Sequence, residues 1–261
     1  MKSKRNFLTL ILWEFEENFS FPVFEILIFV AVLFLIGFAS QSMCPYRTSI
    51  SLLDIVLSDY LEFSLTGCAF ISMFFTGFLF ARSIARRFSN KEMKMFLSYP
   101  VKRRSLLLSK FLVNFIVLYL LFGSVLVFDA VLMGFGVFSP LVGFTLLSLL
   151  ISLMFLCSIS MVVALLIKNE ALSFFAVFFL IYGLEQYVSG LKEPYNACFS
   201  MSRGPTIITA YLLRSYYSGK VSLFSYITFK MFLLSLTFQI SVTIVLMLIS
   251  FVYFVYFLEV D

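Results

Sequence analysis

Hydrophobic positions in this chain form long unbroken runs divided by short polar or charged patches. Neither the period-two alternation of half-buried strands nor the narrow stripe of soluble helices dominates. A helical run of about 20 apolar residues matches the roughly 30 Å hydrocarbon core of a bilayer. Six runs meet that length, near residues 22–40, 63–81, 106–134, 141–167, 171–187 and 231–258. The pattern predicts an all-α, polytopic membrane protein of one transmembrane domain over residues 1–261, with six transmembrane helices.

The segments between the runs carry further pattern. In residues 1–20, Phe7, Leu8, Ile11, Leu12 and Phe15 recur at helical spacing, with Glu14 and Glu17 placed elsewhere and Trp13 positioned as a headgroup-level anchor. This predicts an interfacial elbow helix, broken from the first span near Pro22; the alternative is a plain extension of that span. Lys2, Lys4 and Arg5 resemble a signal-peptide start, but the acidic Glu14, Glu16 and Glu17 follow, so the segment is read as retained. Span three is longer than a bilayer needs and must tilt, kink or project. Residues 189–230 are moderately apolar and punctuated by Pro194, Gly204, Pro205 and Gly219. They are neither a full span nor an ordinary short connection.

Composition sharpens this picture. Of 261 residues, 62% are hydrophobic and 13% charged, with mean hydropathy +1.05, whereas soluble domains hold about 25% charged residues. The net charge of +5 points to no nucleic acid, because the basic residues cluster beside apolar spans and set orientation. Lys2, Lys4, Arg5 and the eight Lys and Arg residues between 82 and 104 fall on one side of a six-span topology. Both termini are therefore expected in the cytoplasm of a multi-pass cell-membrane protein, with residues 189–230 external. There is no histidine, which removes Ser-His-Asp, Cys-His and His-metal chemistry. The four cysteines include no CxxC pair; Cys68 and Cys157 are read as packing residues. Cys44 and Cys198 both fall in external segments, where a disulfide and coincidence are equally open.

Segment 82–104 carries the mechanism. It mixes Met93, Met95, Phe96, Leu97 and Tyr99 with eight cations and the single acid Glu92. Such a helix suits docking into a groove on a soluble partner, or gripping anionic headgroups.

The run Ile84-Ala85-Arg86, then Phe96-Leu97-Ser98-Tyr99-Pro100-Val101, Arg103 and finally Lys110, ten residues past Pro100, resembles the permeases of ABC-2 type transporters. The family pattern has an acid after the arginine and Gly-Thr before the proline, where this chain has Arg87 and Lys91-Glu92. The resemblance implies an elbow helix, six spans, and an external segment that re-enters before the last span. It also implies that 82–104 couples to a nucleotide-binding ATPase through Arg86, Arg87, Glu92, Met95, Phe96, Pro100 and Arg103. The chain has no G-x-x-x-x-G-K-[ST] phosphate loop, so it is expected to be no enzyme, with ATP and Mg held by the partner and no cofactor of its own. A six-span permease is half a pathway, so a second copy or paralogue is implied, in an exporter.

Ionisable residues within spans are costly and informative. Glu25 and Lys110 lie near span ends and are read as snorkelling to the interface. Asp129 is either a polar point on a translocation path or an aspartate near the outer surface. Glu185 falls at the external end of span five, a candidate mouth of that path. Rival readings are a stand-alone secondary transporter, for which no repeat is evident, and a non-transporting membrane anchor for a soluble partner.

Overall fold

The computed structural model describes residues 2–19, 23–42, 52–93, 102–190, 195–217 and 227–257. Every regular element in them is helical. The first is α1, Lys2–Asn18, followed by α2, Val23–Ser42. Helix α3 runs continuously over residues 52–89, α4 over Arg103–Leu132 and α5 over Pro140–Ile167. Then come α6, Glu170–Gly190, α7, Arg203–Tyr217, and α8, Phe229–Phe257.

Five of these helices, α3, α4, α5, α6 and α8, are long and apolar enough to cross a membrane. A sixth span is reached when α1 and α2 are taken as one bent unit, with a 72° angle between Phe7–Asn18 and Val23–Phe34. That bend follows the break expected at Pro22. Helix α2 buries Val23, Leu27 and Ala31, one residue per turn, and leaves Phe24, Phe29, Leu33 and Ile36 outside. Its inner stripe packs on α4.

The connections obey local chemistry. Ser139 caps α5 by accepting from the Val142 amide at 3.4 Å, with Pro140 in the first turn. Lys168 ends α5 with φ of 54°. Asn169 Oδ1 then accepts from the Leu172 amide at 3.2 Å to start α6. The Lys168-Asn169-Glu170 triplet thus makes a tight reversal.

Helix α5 occupies the centre, packed against α3, α4, α6, α7 and α8. Small polar residues Ser148, Ser152, Ser158 and Ser160 are buried along it and let neighbours approach. Between α6 and α8, the described residues 195–217 are folded onto the bundle. Helix α7 buries Ile207, Ile208, Ala210 and Leu213 against the bundle, and Ser148 Oγ lies 2.7 Å from Thr209 Oγ1. Gly204 lets α7 approach α8 closely: a Cβ there would meet the end of the Gln239 side chain, which would have to move aside.

Three helical turns are widened to π geometry: Tyr60–Leu65 and Ala81–Ala85 in α3, and Tyr253–Phe257 at the end of α8. Each disturbs the regular carbonyl ladder, and each faces a polar side chain of α4. With 30 residues, α4 is ~45 Å long at 1.5 Å per residue, well beyond a hydrocarbon core. Its overlength, expected from sequence, carries it past three sites in succession.

Candidate functional site

The first of these sites sits at the basic end of the bundle, where α1, α3 and α4 meet. Glu14 of α1 is fully buried. Arg87 donates to both its oxygens, Nη1 to Oε1 at 3.1 Å and Nη2 to Oε2 at 3.0 Å. Lys110 Nζ lies 2.8 Å from Oε1, and Asn18 Nδ2 donates to Oε2 at 3.1 Å. The remaining donors of the two cations are shared around the same knot. Lys110 Nζ donates to the Ser83 carbonyl at 3.0 Å, inside the widened turn Ala81–Ala85. Asn114 Nδ2 donates to Ser83 Oγ at 2.9 Å. Glu17 Oε2 is 3.1 Å from Arg87 Nη2, and the guanidinium lies 5.0 Å over the Trp13 ring. Burial raises the Glu17 carboxyl above the usual carboxylate range, against the pull of Arg87.

Glu14, Arg87 and Lys110 thus meet out of water from three helices, with Glu17 at the half-exposed edge of the cluster. A fork-to-fork guanidinium–carboxylate pair fixes angles as well as distance. Removing Glu14, Arg87 or Lys110 strands buried partners, so α1 and the ends of α3 and α4 are held as a unit.

This arrangement corrects several expectations. Arg87 was expected on a partner-facing surface, but its side chain is 3% exposed and turned inward to Glu14. Lys110 was expected to snorkel and is instead fully buried on Glu14 and Ser83. The polar edge of α1 faces the bundle, while its apolar residues Leu8 and Leu12 are exposed. Glu25 is exposed on α2.

Arg86, one position on, is accessible and 3.9 Å from Glu170 of α6. Glu92 accepts from Asn90 Nδ2 at 3.2 Å. Arg82, Arg86, Arg87, Glu17 and Glu92 line a polar cavity of about 140 Å³ at this end. Arg103 opens α4 and donates to the Val255 carbonyl at 3.4 Å, in the widened end of α8. Met95, Phe96 and Pro100 lie outside the described residues.

Asp129 is fully buried among α3, α4 and α5, accepts from Ser64 Oγ, and has no hydrogen-bond partner at Oδ1 among the described residues. It is thus buried within the bundle, near the C-terminal end of α4. Ser64 belongs to the widened turn Tyr60–Leu65, from which Tyr60 also reaches the Leu126 carbonyl at 3.1 Å. Glu185 is occupied by tethering: it accepts from Ser200 Oγ at 2.6 Å, from the Met201 amide at 2.9 Å and from Ser202 Oγ. It thereby fastens α6 to the start of α7. Cys198 is a buried free thiol, raised by burial above its ordinary pKa, and Cys44, with which a disulfide was one of two open readings, lies outside the described residues.

Sequence reading missed the central residue, Glu14. The available signal was an acid at the inner end of an elbow helix, beside Trp13 and four residues before Asn18, in a chain whose base-rich segment was short of acids.

A family model described as ABC-2 family transporter protein matches residues 19–185. No curated protein matches the chain. The match covers more than half of the chain and runs from the end of α1 to Glu185 in α6. The chain belongs to the ABC-2 transporter family, as a multi-pass membrane permease component.

Proposed function

We propose that this ABC-2 family chain is the transmembrane subunit of an ATP-driven exporter in the cell membrane. In this reading it forms the translocation path as a dimer, with a second copy or a paralogue. A separate nucleotide-binding subunit holds ATP and Mg and performs the hydrolysis. Both termini and the 82–104 segment face the cytoplasm, as the clustered cations favour, and residues 189–230 re-enter from the opposite face.

The observation that carries the coupling part is the Glu14–Arg87–Lys110 knot. It sits where segment 82–104 leaves α3, and it joins that point to α1 and α4 through buried, directional contacts. A displacement delivered to the segment by the ATPase passes to three helices together rather than being absorbed by one flexible loop. Arg86 and Glu92, accessible at the same end, are available to the partner. In this reading Arg87, buried on Glu14, transmits the motion rather than touching the partner.

The test is a tagged pulldown in mild detergent, with the bound chains identified by mass spectrometry. Wild type is expected to recover a soluble ATPase carrying a phosphate loop, and Met95→Asp with Phe96→Asp to lose it while remaining inserted. Recovery of the permease alone across several detergents would overturn the proposal.

A further inference from the structure

A groove of about 410 Å³ lies at the basic end between α4, α5 and α8, on none of the elements used above for coupling except the start of α4. That volume is within the range of small-ligand sites, roughly 300–1,000 Å³. Its walls are apolar: Leu108 and Phe111 of α4, Met161 of α5, Met247 and Leu248 of α8. Leu108 and Leu248 are 47% and 58% exposed, so the groove opens outward, where α4 and α8 meet the bilayer. One end is different in kind. Arg104 closes it, its guanidinium 5.4 Å over the Phe251 ring and its Nη2 donating to Tyr256 Oη at 3.3 Å.

Arg104 is exposed and preceded directly by the exposed cations Lys102 and Arg103. Among the described residues, no acidic side chain lines the groove. An apolar slot of this depth, ending in a positioned guanidinium at the level where a span leaves the membrane, matches an amphiphile with an anionic head. Guanidinium pairs with phosphate through two parallel donors, and its stacking on Phe251 holds the fork in place.

We propose that this groove binds one anionic phospholipid from the leaflet at the basic end. An acyl chain lies between α4 and α8, and the phosphate rests on Arg104. The lipid bridges the start of α4 to the end of α8, next to the Arg103–Val255 contact. The proposal requires only that α4 and α8 cross the bilayer, and it stands whether or not the ATPase reading does.

Native mass spectrometry of the full chain in dodecyl maltoside, titrated with dioleoylphosphatidylglycerol or dioleoylphosphatidylcholine, tests it. A single-lipid adduct should form with the anionic lipid at several-fold lower concentration. Arg104→Gln should lower that preference about fivefold, the effect of one basic residue at an anionic surface, and Arg104→Lys should retain most of it. Leu108→Trp, which fills the slot, should weaken both lipids together. Equal adducts in the wild type, or an unchanged preference in Arg104→Gln, would overturn the proposal. Loss of a dimer in Leu108→Trp with undiminished lipid adducts would also overturn it, and would assign the groove to a second copy.

Discussion

Replacing Glu14 by alanine removes a buried acid that both Arg87 and Lys110 contact, at 3.0–3.1 Å and 2.8 Å respectively. Both cations stay buried, with side chains 3% and 0% exposed. Breaking a buried pair in this way costs about 3–5 kcal/mol, because the cations left behind keep their desolvation penalty. Glu17 still reaches Arg87 and the Ser83 carbonyl still accepts from Lys110, so the low end of that range applies. At about 2–4 °C per kcal/mol for a chain of this size, melting in detergent should fall by roughly 10 °C. The assay is thermal loss of the monodisperse peak in fluorescence-detected size exclusion. The exposed Glu16 provides the control, since Glu16→Gln should stay within about 0.5 kcal/mol of wild type. A companion variant separates fold from function. Glu14→Leu with Arg87→Met and Lys110→Met substitutes apolar packing for the knot and should recover the melting temperature. Under the proposed coupling it should still fail to link ATP hydrolysis to transport. If Glu14→Ala melts within about 2 °C of wild type, the knot does not hold these helices and the argument built on it fails.

Other outcomes follow from neighbouring contacts. Glu17 has a raised pKa from burial, so the fold favours its protonated form. The sign is that stability from this group is fully present below the ordinary carboxylate pKa and is lost as pH rises through the raised value. Glu17→Gln should flatten that acid-side slope and keep or raise the melting temperature at neutral pH, opposite to Glu14→Ala, as melts across a pH series would show. Gly204→Ala should destabilise by placing a Cβ against Gln239, and Gln239→Ala should relieve much of that loss in the double variant, as measured by a double-mutant cycle. Glu185→Ala removes the acceptor shared by Ser200, Ser202 and the Met201 amide. It should speed amide exchange over 198–206 while leaving α5 protected, a local loosening that hydrogen-exchange mass spectrometry resolves.

The helices were legible in the sequence because a membrane imposes a one-dimensional rule. A backbone in hydrocarbon must satisfy its own hydrogen bonds, so about 20 apolar residues in a row become a helix wherever they occur. Span four, expected near 141–167, is α5 at Pro140–Ile167. Span five, expected near 171–187, is α6 at Glu170–Gly190. Span two differed because composition marks where the bilayer ends but not where the helix does. Helix α3 continues past the apolar run to residue 89, carrying Arg87 inward.

What the sequence concealed is how polar residues pair across helices, and the widened turns explain why. A π turn leaves no compositional mark, yet it alters which carbonyls are offered to a neighbour. Ala81–Ala85 presents the Ser83 carbonyl to Lys110, and Tyr253–Phe257 presents the Val255 carbonyl to Arg103. Tyr60–Leu65 brings Ser64 to Asp129. All three recipients lie on α4, separated by 7 and 19 residues, so one long helix reads the irregularities of two others along its length. Read alone, each of those side chains has a bland interpretation: a snorkelling lysine, a loop arginine, a surface aspartate. Their common placement on α4 is what makes this helix the spine between the basic end and the buried Asp129. A regular α3 would offer neither turn, so restoring α-helical register by deleting one residue from Ala81–Ala85 should rotate Arg87 off Glu14 and release α1. Thermal melting in detergent would report that release as a loss like that of Glu14→Ala. If the deletion variant melts with wild type, the widened turn is not what aims Arg87.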